Sequence, residues 1–287
     1  FHPAPQGREV AEMSRRTPIL AIAIAVLGAA FFIIPLIATF SFSLKMKRGE
    51  LSFDAYRSVF ESDLFLSVLG YSAIASLFAI VLGILIVVPT AYWVRLRVPQ
   101  MRPVIEFLSL MPLIIPPVVL VFGYVRIYGT NSILPLTMSE TGTNILLVIG
   151  YVVLSIPYMY RAVDNGMASI DIATLTEVAE SLGASRLRTI AFVIFPNIRS
   201  AIVSGAFLTF SISLGEFVMT SLLNRPAFGP YLVQMGQDFA YQPAALAVMA
   251  FAFTWVCMAL MEVFATLKPG QRLFQARAAR TVEKAQP

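Results

Sequence analysis

The residues of this chain that could do chemistry are a few carboxylates inside long apolar runs and one polar helical stretch set between two such runs. Glu216, in SISLGEFVMT, is the most isolated of the carboxylates. A charge within hydrocarbon is costly, so such a group marks a solute pathway or is neutralised by structural partners. A cation would be drawn to it. Glu106 and Glu262 stand nearer the ends of their runs, where a long side chain reaches water, and read as structural. The parts for catalysis are scarce. Cys257 is the single cysteine and His2 the single histidine, so zinc chemistry and Cys/His nucleophiles lack their usual groups. There is no H-E-x-x-H, no G-x-S-x-G and no phosphate loop of the G-x-x-x-x-G-K-[ST] type, so the chain does not cradle ATP by that route.

The elements that must position these residues are membrane spans. Of 287 residues, 58% are hydrophobic and 13% charged. Both shares lie outside the range of water-soluble domains. A helix needs about 20 apolar residues to cross a hydrocarbon core of ~30 Å. Six runs qualify: Ile19–Leu44, Leu64–Val94, Val104–Val125, Asn144–Tyr160, Ser200–Leu223 and Ala244–Leu267. The fourth is short and contains Pro157. None alternates as a barrel strand would, so the expected fold is all-α, a six-helix membrane bundle over residues 19–267 with tails at 1–18 and 268–287. The first run is too long for a signal-peptide core and is read as a true span, while FHPAPQGREVAEM ahead of it reads as disordered. Arg8, Arg15 and Arg16, then Arg95, Arg97 and Arg102, then Arg161, Arg186, Arg188 and Arg199, then Lys268, Arg272, Arg277, Arg280 and Lys284 fall on one side, which places both termini in the cytoplasm. The +5 charge thus reports orientation, since no basic face with interleaved aromatics points to nucleic acid.

The polar stretch lies in the loop before the fifth run. Thr174-Leu-Thr-Glu177 fits a capping box, and Leu175, Val178, Ala179 and Leu182 recur at helical spacing to give one apolar stripe. Gly183 can take positive φ just past the end. Ser185 can cap a second short helix carrying Arg186 and Arg188, and Pro196 precedes the fifth span. A helix this short is marginal alone in water, so its stripe needs a partner surface.

Glu177-Val178-Ala179, three residues, Gly183, nine residues and Val193-Ile194-Phe195-Pro196 resemble the EAA loop of bacterial ABC importer permeases. Leu182, Ala184 and Ser185 resemble that family's LGAS, and SFDAYRSVF and PLIIPPVVLVFG resemble its polyamine-importing branch. The resemblance implies a type I permease in the bacterial inner membrane, with residues 174–196 as the coupling loop. It implies that Glu177, Val178, Ala179, Leu182, Gly183, Ala184, Ser185 and Pro196 make or shape contact with an ATP-binding subunit. It further implies two such subunits carrying ATP and Mg, a second permease that is a copy or a paralogue, and a periplasmic solute-binding protein. No cofactor is expected in the chain itself.

For the solute, the expectation is a polyamine or related organic cation, with an inorganic anion or phosphonate as the alternative. Glu216 would line its path or serve as a structural, capped carboxylate. Tyr124, Tyr158 and Phe217, with Tyr151 and Phe210, could stack on an organic cation or simply pack. Pro116-Pro117 should kink the third span, Arg126 and Tyr128 read as an interfacial anchor, and NRPAFGPYLVQMGQDFAYQP suits a re-entrant or surface element. A secondary transporter is the rival reading; no internal repeat relates the two halves of the sequence.

Overall fold

The computed structural model describes residues 6–47 and 49–266, with side chains described for 20–47 and 49–263. The expected tail at 268–287 and His2 lie outside these residues. In chain order the helices are α1 Gln6–Ser43, α2 Asp54–Phe60, α3 Asp63–Arg97, α4 Arg102–Ile114, α5 Pro117–Tyr128, α6 Glu140–Ala168, α7 Ile172–Ser181, α8 Arg186–Thr189, α9 Phe195–Asn197, α10 Arg199–Leu214, α11 Val218–Leu222, α12 Phe228–Asp238 and α13 Gln242–Thr266. Among the described residues there is no strand. Among the described residues four helices are long and apolar enough to cross a membrane, and two bent pairs bring the number to six if each pair is one span.

The spans match the six runs with three differences, each with a local cause. First, α1 starts at Gln6, ahead of the run expected from Ile19 and inside a stretch read as disordered. Residues 8–13, REVAEM, are mostly good helix formers and extend the helix backwards. Second, the short fourth run grows into a 29-residue helix. Ser139 caps it by accepting from the Gly142 N–H at 3.0 Å, and its last two turns carry polar residues that an apolar run cannot reveal. Third, the fifth span is bent by 83° between Asn197 and Arg199 and then broken at Gly215.

The third span bends by 93° between α4 and α5. A residue before proline is pushed out of the α region, and Ile115 is extended, with φ −86° and ψ 116°. Pro117 then opens α5, where its missing N–H is no loss.

Contacts divide the chain into two units, residues 1–61 with 235–250, and residues 62–234 with 251–287. In the first, the Ser43 hydroxyl lies 2.7 Å from that of Tyr56, Lys47 pairs with Asp54 at 2.9 Å, and Phe42 stacks on Tyr241. The Lys47 hydrogen bond holds the Asp54 carboxyl below its ordinary range. In the second, the core gathers α3, α5, α6 and α11: Ala75, Ala79, Val121, Tyr124, Leu147, Tyr151 and Met219 are buried together. The apolar faces of α1 and α4, such as Phe31, Phe32, Phe107 and Ile114, are exposed, as expected where lipid or another membrane chain takes the place of a core.

Candidate functional site

The polar loop folds as two short helices, α7 and α8, followed by a π-type turn at Ile190–Ile194 and α9. The start differs from the expected capping box. Asp171, not Thr174, is the cap: its carboxylate accepts from the Thr174 N–H at 3.2 Å and from the Thr174 hydroxyl at 2.7 Å. An acceptor three residues earlier captures the free N–H groups first, so the helix begins at Ile172 and Glu177 is left exposed. The same hydrogen bonds hold the Asp171 carboxyl below its ordinary range, the Thr174 hydroxyl being the largest cause.

The end of α7 is as expected from Gly183. Its φ is +80°, the Gly183 N–H donates to Glu180 O at 2.9 Å, and the Ala184 N–H donates to Ala179 O at 2.9 Å. This pair of bonds is the Schellman ending. Ser185 stands at the cap position of α8, but its hydroxyl makes no cap bond; its carbonyl accepts from the Thr189 N–H at 2.9 Å instead.

The expected single apolar stripe divides into two faces. Ile172, Thr176 and Ala179 are buried toward the bundle, with Leu175 partly covered. The Thr176 hydroxyl lies 3.2 Å from that of Tyr92 on α3, both groups buried. Glu180 stands 3.9 Å from Arg97 at the end of α3. Flanking this buried strip, Val178 is 53% exposed and Leu182, at the end of α7, 82%, while Leu187 on α8 is 78% exposed. Pro196 lies in α9, just before the 83° bend into α10.

Beside this elbow the structure assembles a cluster that the sequence reading missed. Asp164, on the extended end of α6, is buried and accepts from Arg95 Nε of α3 at 2.6 Å and from an Arg102 terminal nitrogen of α4 at 3.0 Å. The other end of the Arg95 fork donates to the Asp164 carbonyl at 2.8 Å, and Arg102 Nε donates to Glu106 at 2.8 Å. Glu106 is thus paired with Arg102 one turn earlier on α4. In the sequence Arg95 and Arg102 signal only orientation, and Asp164 falls beyond the fourth apolar run, so only the helical continuation of α6 points to it.

At the other end of the second unit Glu216 sits in the break between α10 and α11. Its carboxylate accepts from the N–H of Met219 at 2.9 and 3.0 Å and of Thr220 at 3.1 Å, and its carbonyl accepts the Thr220 hydroxyl at 2.9 Å. The span is thus not one continuous helix through Glu216, and the charge is held by the free N–H groups that open α11. Of the other residues expected to line a path, Tyr124 is buried in the core with Met219, its hydroxyl without a hydrogen-bond partner among the described residues. Tyr158 is half-buried and Phe217 is 41% exposed; neither belongs to that core.

The stretch after α11 folds back against α3 and α6. Arg225 reaches Glu140 at 3.3 Å and Asn144 at 3.4 Å, and the Tyr71 hydroxyl donates to Asn144 at 2.7 Å. The Phe228 N–H donates to the Ser72 hydroxyl at 2.8 Å. Gly229 lies so close to the Glu216–Phe217 peptide that a Cβ would come within 3.1 Å of Phe217 Cα and nearer still to the Glu216 carbonyl. Among the described residues no group of His, Cys, Asp and Glu could hold a metal ion.

The family described as binding-protein-dependent transport system inner membrane component matches residues 79–268. The probable transport system permease protein NifC of Clostridium pasteurianum is 25% identical over 204 residues, 67% of this chain and 71% of that protein. The ferric transport system permease protein FbpB of Actinobacillus pleuropneumoniae is 28% identical over 199 residues, 65% of this chain but only 27% of that protein. The spermidine/putrescine transport system permease protein PotB of Haemophilus influenzae is 25% identical over 209 residues, 67% of this chain and 72% of that protein. Among solved structures, a bacterial ABC transporter involved in the import of the acidic polysaccharide alginate gives a TM-score of 0.66 at 16% identity, covering 90% of this chain and 98% of that one, a likeness of fold.

Proposed function

Because the chain belongs to the family of binding-protein-dependent transport system inner membrane components, we propose that it is the membrane-spanning subunit through which an ATP-driven importer moves a small solute into a bacterial cell. It is an ABC importer permease of type I by family and fold. The observation that carries the coupling role is the outward face of the elbow. Val178 and Leu182 of α7 and Leu187 of α8 remain exposed while the buried strip of α7 is fastened to α3 through Thr176. A short helix that is anchored along one strip and apolar beside it is suited to a groove in a second protein.

In this reading Glu177, Val178, Leu182, Gly183, Ala184 and Ser185 form or shape that contact, Ala179, expected there, is instead buried within this chain, and Pro196 directs the chain into α10. Two ATP-binding subunits hold ATP and Mg, a second permease, identical or paralogous, completes the path, and a periplasmic binding protein delivers the solute. The elbow faces the cytoplasm, where Arg95, Arg97, Arg161, Arg186 and Arg188 gather, with the bacterial inner membrane around the bundle. Closure of the nucleotide subunits would displace the elbow, and each transport state must bias that contact differently for hydrolysis to be coupled to import.

The solute we propose is a polyamine or related organic cation. Support comes from the likeness to the spermidine/putrescine permease. The likeness to the ferric permease supports a metal cation as the second reading. The capped geometry of Glu216 lends weight to neither, since its charge is already met by N–H groups. Uptake into vesicles containing the whole assembly tests the proposal: labelled spermidine should accumulate only with ATP, both nucleotide subunits and the binding protein. Accumulation by this chain alone under an ion gradient would contradict it.

A further inference from the structure

The polar contacts at the elbow end lead from α7 through α3 and α6 to the broken third span. Thr176 meets Tyr92 on α3, and three residues further along α3 Arg95 grips Asp164 on α6. Asp164 holds Arg102, which opens α4. A cavity of about 190 Å³ adjoins this series, lined by Arg102, Glu106, Ser109, Tyr160, Arg161 and Asp164. Two of its lining groups are unused in this arrangement. The Tyr160 hydroxyl is buried without a hydrogen-bond partner among the described residues, and Asp164 takes its ion pairs from Arg95 and Arg102 rather than from Arg161. Arg161 lies three positions before Asp164, so the two share one face of α6.

Accepting the elbow as the docking site for the nucleotide subunit, we propose that Asp164 is the positioning residue that passes the elbow's movement to α4 by exchanging arginines. It keeps Arg95 throughout. In the state seen here its second oxygen holds Arg102 and so latches α4 to α6; in the other state that oxygen takes Arg161, and α4 is released. A buried carboxylate cannot be left half-paired cheaply, so such an exchange has two discrete arrangements rather than a continuum. The cavity supplies the space, and the Tyr160 hydroxyl supplies a further donor for the second arrangement.

The two arginines should therefore act in opposite directions, which a purely structural role would not produce. Spin labels at the exposed positions Leu108 on α4 and Ala168 on α6, with Cys257 replaced, report their separation in the complete assembly with and without a non-hydrolysable ATP analogue. The expected result is two separations in the parent. Arg161→Gln should hold the latched separation both with and without the analogue, Arg102→Gln should hold the released one, and each should lower uptake by about tenfold. Asp164→Glu should restore both states relative to Asp164→Asn. A cross-linker at Leu187→Cys, read in the same samples, reports elbow docking separately. With docking intact, unchanged separations in both arginine variants would overturn the exchange; loss of docking in the parent would overturn the elbow reading beneath it.

Discussion

The Tyr92 hydroxyl lies 3.2 Å from the Thr176 hydroxyl, a buried pair that fastens the elbow to the end of α3 carrying Arg95 and Arg97. Removing one hydroxyl strands the other away from water, which costs about 1–3 kcal/mol, whereas removing both is nearer neutral. Tyr92→Phe and Thr176→Val should each lower the melting temperature in detergent, and the double variant should lose less than their sum. A double-mutant cycle in thermal unfolding measures this coupling; strict additivity would mean the pair is not a working contact.

Gly183 separates backbone from surface effects. Its φ is +80° and the space around an added Cβ is open. Within this chain alanine therefore meets only the left-handed backbone penalty, about 1 kcal/mol. Gly183→Ala should keep most uptake. Gly183→Asp adds a charge beside the outward apolar face and should abolish uptake while insertion into the membrane stays normal. Equal uptake in the two variants, measured in the same vesicles, would argue against a docking role for this turn.

For Glu216 the expected phenotype is one of stability. Glu216→Ala leaves the Met219 and Thr220 N–H groups buried without their acceptor. Stranding buried donors in this way costs about 2 kcal/mol. Glu216→Gln keeps one acceptor oxygen and should unfold at a temperature between that variant and the parent. Apparent affinity for a cationic solute should be unchanged in Glu216→Gln; a marked loss of affinity at normal stability would put the carboxylate in the path. Gly229→Ala, which forces a Cβ against the same peptide, should destabilise the same break.

Asp171 predicts a pH dependence with a definite sign. Its folded carboxyl titrates below its ordinary value of 3.8, so the cap contributes in full above that value and is lost as pH falls through the lower folded one. Hydrogen-exchange protection at Thr174 and Leu175, corrected for intrinsic rates, should be constant near neutrality and fall only in acid. Asp171→Asn should remove the acid dependence while keeping most of the protection.

Much of this was readable from the sequence because lipid imposes a length and a composition on every span. The six runs, the bend at Pro116-Pro117 and the glycine ending at Gly183 all follow from local rules. The capping box at Thr174 does not form because Asp171, an equally good acceptor, stands three residues earlier and captures the Thr174 N–H. The Asp164 cluster was hidden for a different reason: its members come from α3, α4 and α6, and only packing brings Arg95, Arg102 and Asp164 within hydrogen-bond reach. Glu216 lies in the fifth span and Gly215 before it permits a bend, but the N–H groups that hold its carboxylate belong to α11, which starts only because the helix breaks there.

The most direct test of the central claim is site-specific photo-cross-linking from Leu182, which is 82% exposed on the outward face of the elbow, in the assembly as purified from its native membrane. The account predicts a single major product between this chain and an ATP-hydrolysing subunit, with a yield that changes when ATP is bound. Cross-links confined to lipid, with no such subunit captured from any exposed elbow position, would contradict it.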